Sequence, residues 1–322
     1  MPMELIRGLQ GLKPHHRGAA ITVGSFDGIH LGHGALIARA CALAAHAGKA
    51  AIMLTFEPLP REYLSAQASP PVDPPARLTD LRERWRVLQH SDLAAVCILR
   101  FNEKLRSLSG EQFVNLLAET FAASAVVVGQ DFRFGRGGAG SVALLQAAAD
   151  AGRFELELVP SVCVDDVRVS SSGVRAALAR GDFRAARDLL GRAYSMRGRV
   201  VAGEKLGRRL GFPTANIRMR RRRLPFTGVY AVRVRGIDGN LARDAVASIG
   251  FRPTVGGGLE PLLEVHVFDF AGWLYNRDLE VEFVAKIRDE EKFDSLDTLV
   301  QHMRQDAIAA RAILHKAHAA HG

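Results

Sequence analysis

The amino-acid sequence predicts an α/β domain with a parallel sheet, then an antiparallel β-barrel or sandwich, then a C-terminal helix. Up to about residue 194, short apolar runs without period-2 alternation alternate with helical stretches. From residue 197 to residue 288, strand-like runs follow one another, several of them separated by glycine or proline clusters. Residues 295–320 have the periodicity of one helix.

In the first region the elements alternate regularly. Predicted strands cover residues 19–24, 50–56, 94–101, 124–129 and 154–160. Predicted helices cover residues 34–47, 77–90 and 141–152, and a further helix runs from the capping-box pair Ser109 and Gln112 through Phe121. Two short helices are expected within residues 170–194. Apolar strands joined through helices predict a parallel sheet covered by helices on both faces.

The second region contains five strand-like runs, at residues 197–203, 228–236, 244–251, 262–270 and 279–287. The C-terminal helix begins after Ser295, which is expected to cap it. The change from alternating strands and helices to successive strand-like runs places the domain boundary near residues 186–196. We therefore predict one domain at residues 1–188 and another at residues 189–322.

Composition and charge limit the class of protein. The chain has 322 residues, no repeat of fixed period, no membrane-length apolar run and no signal-peptide pattern at its N-terminus. Cys41, Cys97 and Cys163 are few, widely spaced and flanked by apolar residues, so they are interpreted as reduced core thiols. These features predict a cytoplasmic protein without a membrane partner.

The net charge of +9 is compatible with nucleic acid, an anionic membrane or small phosphate substrates. The densest basic run, residues 218–223, is interpreted as a solvated loop, because it lacks the interleaved aromatic residues of single-strand binders. No nucleic-acid partner is predicted. A non-enzymatic basic nucleic-acid binder remains an alternative, and it would show salt-sensitive binding.

The first candidate site is the loop "GSFDGIHLGH" that follows the first predicted strand. In an open parallel sheet, ligands bind beyond the carboxyl ends of the strands, at helix N-termini. His30 and His33 are three residues apart and can share one helical face. Two imidazoles there suit a phosphate that gains charge in a transition state, whereas a pair of structural caps is the alternative. The loop residues predicted to bind ATP phosphates are Gly24, Phe26, Asp27, Gly28 and Gly32.

These residues closely resemble the H-x-G-H signature of the nucleotidyltransferase superfamily, and more narrowly the FAD synthetase module. "LTFEPLPRE", "VVVGQDFRFGRGGAGS" and "VSSSGVR" resemble further segments of that module. The resemblance implies phosphate contacts for Ser171, Ser172 and Arg175. It also implies flavin contacts in the segment that contains Asp131, Phe132 and Phe134, although the two phenylalanines equally suit a core. The chain departs from the family at Ser25, where the family has Asn, and at Gly173, where it frequently has Arg.

The second candidate site is the stretch "GEKLGRRLGFPTANI". Its glycines and cations suit ATP phosphates, although the P-loop string is absent. Thr214 and Asn216 lie two residues apart, so in an extended chain their oxygens point the same way. Two neutral oxygens with phosphates and waters form a reasonable Mg²⁺ site. The residues predicted to bind ATP in this stretch are Gly203, Lys205, Gly207, Arg208 and Gly211.

A carboxylate in the run "LEVHVFDF" is the third candidate. Glu264, His266, Phe268 and Phe270 alternate, which predicts that they share one face of a strand. Glu264 among apolar neighbours suits a general base toward a hydroxyl, and an ordinary rim glutamate is the alternative.

Together with "GVYAV", "IGFRPTV" and "KFDSLDTLVQHMRQD", these motifs closely resemble riboflavin kinase in the family's order. The resemblance implies a six-stranded barrel, Thr214 and Asn216 as ligands of Mg²⁺ and phosphate, and Glu264 as the base for the ribityl 5′-hydroxyl. Asn276 stands where the family usually has Gly.

The two resemblances cover nearly the whole chain and combine in the bifunctional riboflavin kinase/FAD synthetases of bacteria. They imply a Rossmann-like nucleotidyltransferase domain followed by the kinase barrel, with ATP, riboflavin and FMN as substrates and Mg²⁺ as cofactor. The expected product of the kinase, FMN, is the substrate of the adenylyltransferase. Retention of only one of the two activities is an alternative. A monomer or weak homo-oligomer is expected.

Overall fold

The structure, a computed structural model, describes residues 3–203, 207, 210–239, 241–253 and 259–319. The chain divides into two units by its internal contacts. The first unit consists of Met1–Pro75 and Arg84–Ser170, and the second consists of Ala76–Glu83 and Ser171–Gly322. The segment Ala76–Glu83 therefore belongs with the C-terminal part of the chain.

The first unit is built on a six-stranded parallel sheet with the order β1-β4-β3-β2-β5-β8. The strands of this region are β1 (Glu4–Arg7), β2 (Ala20–Val23), β3 (Ala51–Glu57), β4 (Ala95–Arg100), β5 (Ala125–Gly129), β6 (Arg133–Phe134), β7 (Gly140–Ser141), β8 (Glu155–Val159), β9 (Cys163–Val164) and β10 (Val167–Arg168). Strands β6 and β7 form one short antiparallel ladder, and β9 and β10 form another.

The helices of the first 150 residues are α1 (Leu31–His46), α2 (Pro60–Gln67), α3 (Leu81–Leu88), α4 (Glu103–Arg106), α5 (Gly110–Asn115) and α6 (Val142–Asp150). The reciprocal capping box of Ser109 and Gln112 is confirmed, with distances of 2.8 Å and 3.1 Å. The helix that it opens is α5, which continues as a π-helical segment over Leu116–Thr120.

The predicted parallel sheet is confirmed, and it contains one strand more than the sequence indicated. All five predicted strands are present. Strand β1 pairs with β4 at one edge of the sheet. It is only four residues long, and Leu5 is exposed, so its sequence lacks the continuous apolar run that marked the central strands.

The order of the sheet determines where a ligand site is expected. Strand β2 pairs with β3 on one side and with β5 on the other, and the chain crosses from one half of the sheet to the other between β4 and β5. Such a reversal opens a crevice outside the carboxyl ends of the strands that flank it. The loops after β2 and β5 therefore meet at the same edge of the sheet.

The cysteines differ in exposure, which corrects the prediction of three core thiols. Cys97 is buried in β4, and burial raises the pKa of its thiol to about 12. Cys41 is partly buried. Cys163 is exposed because the short hairpin β9–β10 carries it at the surface. All three are free thiols.

In the second unit, six antiparallel strands close into a barrel with the order β11-β12-β15-β14-β13-β16, which confirms the fold that the resemblance implied. The elements are α7 (Ser171–Ala179), α8 (Phe183–Leu190), β11 (Ser195–Val201), β12 (Ala215–Arg218), β13 (Gly228–Asp238), β14 (Leu241–Pro253), β15 (Leu259–Val267), β16 (Asp278–Arg288) and α9 (Leu296–Ala319). Strand β12 was absent from the strand-like runs, because it has four residues and only two of them are apolar.

The C-terminal helix packs against the outside of the barrel. Ala310 and Leu314 of α9 are buried against Val229, Ala231 and Val246 of β13 and β14. The hydroxyl of Ser295 accepts a hydrogen bond from the backbone N–H of Thr298 at 3.1 Å, so the predicted cap is confirmed. Within the described ranges, the helices are too short or too polar to cross a membrane.

The basic run at residues 218–223 is not a uniformly solvated loop, which corrects that interpretation. The guanidinium of Arg221 is buried and forms an ion pair with Glu83 at 2.5 Å. It also donates to the backbone oxygen of Arg77 at 2.6 Å. A buried cation requires such partners, so Arg221 holds the segment Ala76–Glu83 inside the second unit.

Candidate active sites

The loop between β2 and α1 places the two histidines at a helix N-terminus. His30 is the N-cap of α1, and its Nδ1 accepts a hydrogen bond from the backbone N–H of His33 at 3.3 Å. The two imidazole rings are stacked, with centroids 3.6 Å apart and planes inclined by 18°. Because Nδ1 of His30 is an acceptor, its neutral ring carries the proton on Nε2. That N–H and the helix N-terminus both favour an anion.

The backbone of this loop is unusual. Phe26 (φ 47°), Gly28 (φ 89°) and Ile29 (φ 43°) all have positive φ. Glycine adopts this region freely, whereas a β-branched residue such as Ile29 does so only under structural constraint. Phe26, Asp27 and Ile29 are buried. The loop is therefore held in one conformation by packing, and Gly24 and Gly32 lie at its two ends.

The loop after β5 contains Asp131 and the two phenylalanines. The carboxylate of Asp131 forms an ion pair with Arg168 at 2.7 Å, and both side chains are exposed. Phe134 is buried in the hydrophobic core and lies 5.3 Å from the ring of Phe113. Phe132 is only partly buried and stacks on Phe134. Burial favours the core interpretation for Phe134, while Phe132 and Asp131 remain accessible to a ligand.

The serine-rich segment begins a helix, as its sequence indicated. Ser171 and Ser172 are the first residues of α7, in the second unit. The Nε of Arg175 donates to the backbone oxygen of Ala76 at 2.6 Å, within the same unit. Gly173 lies in the first turn of the helix. The structure thus places these residues in a different unit from His30 and His33.

In the second unit, a cleft of about 430 Å³ collects the predicted kinase residues. Its lining includes Gly207, Thr214, Asn216 and Glu264. Asn216 on β12 lies directly opposite Glu264 on β15, and directly opposed side chains are neighbours on one face of a sheet. The amide and the carboxylate therefore lie side by side in the lining of one cleft.

Thr214 and Asn216 also line a second cavity of about 300 Å³, together with Gly203, Phe270 and Tyr275. The threonine–asparagine pair therefore lies where two cavities of the same barrel adjoin. A ligand in either cavity could therefore contact this pair.

The threonine–asparagine pair suits Mg²⁺ by its donor set. Mg²⁺ prefers oxygen ligands and usually retains several waters beside phosphate oxygens. A Cβ at Gly203 would lie 2.3 Å from the side-chain nitrogen of Asn216, so only glycine permits this approach. Gly207 and Gly211 are described, whereas the predicted ATP ligands Lys205 and Arg208 lie outside the described residues.

The prediction that four alternating residues share one face of β15 is only partly correct. Glu264 and His266 both line the larger cleft. Phe268 packs in the core beneath α9, and Phe270 lines the smaller cavity instead. The prediction for Phe270 is wrong because β15 ends at Val267 and Asp269 has a positive φ of 52°, which breaks the alternation.

Two residues at the kinase cleft were not singled out for a role from the sequence. His266 Nδ1 donates to the backbone oxygen of Pro213 at 2.9 Å, next to Thr214. Arg288 lines the cleft and forms a two-pronged ion pair with Asp306, with distances of 2.9 Å and 2.8 Å. Neither contact has a local sequence signal, since the partners are 53 and 18 residues apart.

The departures from the family pattern have structural explanations in two cases. Asn276 has a φ of 63°, a region that glycine and asparagine tolerate best. Ser25 contributes its backbone oxygen, which accepts hydrogen bonds from Thr55 and Arg84, and any residue supplies that group. Nothing in the structure explains Gly173.

Two family models match successive parts of the chain. A family model described as FAD synthetase matches residues 12–173, and one described as riboflavin kinase matches residues 190–314. A crystal structure described as a macrolide-efflux protein from Streptococcus pneumoniae is 30% identical, with a TM-score of 0.79. That alignment covers 97% of this chain and 99% of the other.

Curated relatives named bifunctional riboflavin kinase/FMN adenylyltransferase are similar over almost their whole length. The protein from Pseudomonas fluorescens is 44% identical over 97% of this chain and 98% of its own. The protein from Haemophilus influenzae is 40% identical, with coverage of 96% and 99%. The protein from Escherichia coli K12 is 40% identical, with coverage of 96% and 97%. The chain therefore belongs to the family of bifunctional riboflavin kinase/FMN adenylyltransferases, with an FAD synthetase module followed by a riboflavin kinase module.

Proposed function

We propose that this enzyme phosphorylates riboflavin to FMN with one ATP and then adenylylates FMN to FAD with a second ATP, releasing pyrophosphate. The observation that carries the proposal is that each unit contains a group of side chains suited to one of the two transfers. The first has two stacked imidazoles at a helix N-terminus, and the second has Asn216 opposite Glu264 in the lining of one cleft.

In the kinase reaction, the carboxylate of Glu264 accepts the proton of the riboflavin 5′-hydroxyl. The hydroxyl oxygen forms a bond to the γ-phosphorus of ATP, and the bond to the bridging oxygen breaks to release ADP. General-base catalysis of this kind contributes about 10²–10⁴-fold to the rate. His266 holds the backbone at Pro213, and thereby Thr214, in place.

Mg²⁺ is the proposed cofactor of the kinase, with Thr214 and Asn216 as its protein ligands. When bound, Mg²⁺ would neutralise the negative charge on the phosphoryl group that is transferred. Gly203, Lys205, Gly207, Arg208 and Gly211 are proposed to bind the ATP phosphates, and for Lys205 and Arg208 this proposal rests on the sequence alone.

In the adenylyl transfer, a phosphate oxygen of FMN forms a bond to the α-phosphorus of ATP. The bond from that phosphorus to the β-phosphate oxygen breaks, and pyrophosphate leaves. The second pKa of a phosphate monoester is about 6, so FMN is ionised near neutral pH and no strong base is required. His30 and His33 stabilise the charge that develops on the phosphate oxygens.

The other ligands of the adenylyl transfer are proposed on sequence grounds. Gly24, Phe26, Asp27, Gly28 and Gly32 form the loop around the histidines. Asp131 and Phe132 are the proposed flavin contacts. Phe134 is buried, and its ring stacks against Phe132. Ser171, Ser172 and Arg175 remain proposed phosphate ligands.

We also propose that the enzyme acts in the cytoplasm on small molecules, as a monomer or weak homo-oligomer. The functional boundary is placed between residues 188 and 189. The alternative of a nucleic-acid binder would depend on the other arginines of the basic run, because Arg221 is committed to Glu83.

Variants at the two sites test the proposal directly. The double variant His30→Ala/His33→Ala should abolish FAD formation and leave riboflavin phosphorylation intact. Glu264→Gln should slow FMN formation about 10²–10⁴-fold and leave FAD formation from supplied FMN unchanged. Products are measured by chromatography of the flavins.

The matched control is Glu260→Gln on the same strand. Among the described residues, the side chain of Glu260 forms an exposed ion pair with Arg252 at 3.2 Å, and loss of such a pair should leave both activities near wild type. If either site's variant lost both activities, with FAD formation assayed from supplied FMN, separate sites would be refuted. If only one product were ever formed by the wild-type chain, the one-activity alternative would be correct.

A further inference from the structure

The backbone oxygen of Ser25 is held by two side chains from elsewhere in the first unit. Thr55 on β3 donates to it through Oγ1 at 3.2 Å. Arg84 donates to the same oxygen through Nη1, also at 3.2 Å. Ser25 is the second residue of the loop that leads to His30, so both donors act at the entrance of that loop.

Arg84 is buried to an extent that is rare for arginine, with only 1% of its surface exposed. Its Nη2 forms an ion pair with Glu57 at 3.1 Å. Burying a guanidinium is costly unless its charge is paired and its N–H groups are hydrogen-bonded. Arg84 pairs its charge with Glu57 and uses Nη1 and Nη2 in hydrogen bonds that bridge the end of β3 and the histidine loop.

The position of these bonds matters because the loop beyond them is strained. The peptide whose oxygen is held joins Ser25 to Phe26, and Phe26 and Ile29 both have positive φ. Strained backbone of this kind persists only when the surrounding structure determines it. The two hydrogen bonds fix the Ser25–Phe26 peptide from two sides. They thereby hold the strained backbone in place directly before His30.

We propose that Arg84 and Thr55 are positioning residues for adenylyl transfer, which act through the Ser25 peptide on the loop that presents His30 and His33. Neither side chain needs to touch a substrate. The inference rests on the proposed function, because it assigns an effect on the FMN adenylyltransferase reaction. It is also compatible with serine at position 25, because the contact uses the backbone oxygen, which any residue supplies.

The expected effect is on turnover rather than on binding. When a group that stabilises the transition state is displaced by about 1 Å, the rate falls roughly 10²-fold. Arg84→Met should therefore lower kcat for FAD formation about 10²-fold. Thr55→Val removes one neutral hydrogen bond, which is worth roughly a 2–10-fold loss in kcat. In both variants KM for FMN and ATP should stay near the wild-type values.

Thr22 provides a matched control. It lies on β2, the neighbouring strand, and is as deeply buried as Thr55. Its hydroxyl has no hydrogen-bond partner among the described residues. Thr22→Val should therefore leave kcat unchanged, and Thr55→Ser, which retains the donor, should restore the wild-type rate. Riboflavin phosphorylation, measured on the same samples, should stay constant in every variant.

The results separate this inference from the proposed function. A wild-type chain that makes no FAD from FMN and ATP would refute the proposed function. If wild-type FAD formation is normal and Thr55→Val turns over as fast as Thr22→Val, the positioning role is wrong, even if Arg84→Met fails to fold. A loss in Thr55→Val that appears in KM alone, or that Thr55→Ser does not restore, would also overturn it.

Discussion

At the scale of single residues, hydrogen bonds decide which ring nitrogen of a proposed catalytic histidine carries the proton. The spacing of His30 and His33 predicted that they share a helix face, and the stacked rings agree with this. The sequence could not indicate that Nδ1 of His30 caps the helix. That contact leaves the proton of the neutral ring on Nε2, which is the nitrogen that we propose as the donor to a phosphate.

His16 gives a prediction about pH and stability in the first unit. Its ring is buried and its Nδ1 accepts a hydrogen bond from the backbone N–H of Lys13 at 3.0 Å. Burial, and then the neighbouring His15, lower the pKa of His16 below its usual 6.5. The folded state thus binds fewer protons than the unfolded state, and stability is lost as pH falls below about 6.5.

The matched variant for this test is His16→Asn, whose side-chain oxygen retains the acceptor but does not titrate. The wild type should lose free energy of unfolding relative to His16→Asn between about pH 7.5 and about pH 5.5. Denaturant unfolding at several pH values measures the difference. A constant difference across this range, or an NMR titration of His16 at or above 6.5, would contradict the assignment.

Several residues of the sites were recognisable from the sequence because their spacing is local. The histidine pair, the Thr214–Asn216 pair and the glycines belong to short motifs. Arg84 and His266 were not recognisable as positioning residues, because their partners lie 59 and 53 residues away in sequence. Such contacts depend on the packing of distant segments, which periodicity does not encode.

At the scale of elements, the register between β12 and β15 turns two separate motifs into one site. Asn216 faces Glu264 because the two strands pair antiparallel in that register. A shift of one residue would move one of the two side chains to the other face of the barrel. The strands of the large sheet and of the barrel were largely predictable, except for β1 and β12, which are short and carry few apolar residues. The short elements α2, α4, β6, β7, β9 and β10 were also not predicted.

The turn before β16 yields a prediction about Asn276. Its φ of 63° lies in the left-handed region, which costs most residues roughly 1–2 kcal/mol relative to glycine. Asn276→Ala should therefore lower the free energy of unfolding by about 1 kcal/mol. Asn276→Gly should be close to wild type or more stable. Equal stability of the two variants in urea would show that the backbone strain is not significant.

At the scale of the whole molecule, the chain combines a parallel α/β sheet and an antiparallel barrel in two units. The alternation of strands and helices, followed by strands alone, predicted this division into two architectures. It did not predict that Ala76–Glu83 joins the second unit, where Glu83 pairs with Arg221. Nothing in the local sequence of this segment distinguishes it from the helices and loops around it.

The central claim, two different phosphate transfers in one chain, is tested most directly by following labelled phosphate. The enzyme is incubated with riboflavin, Mg²⁺ and ATP that is radiolabelled on either the α- or the γ-phosphate, and the flavins are separated by chromatography. The account predicts γ-label in both FMN and FAD, and α-label in FAD only. Absence of γ-label from FMN, or of α-label from FAD, would contradict it.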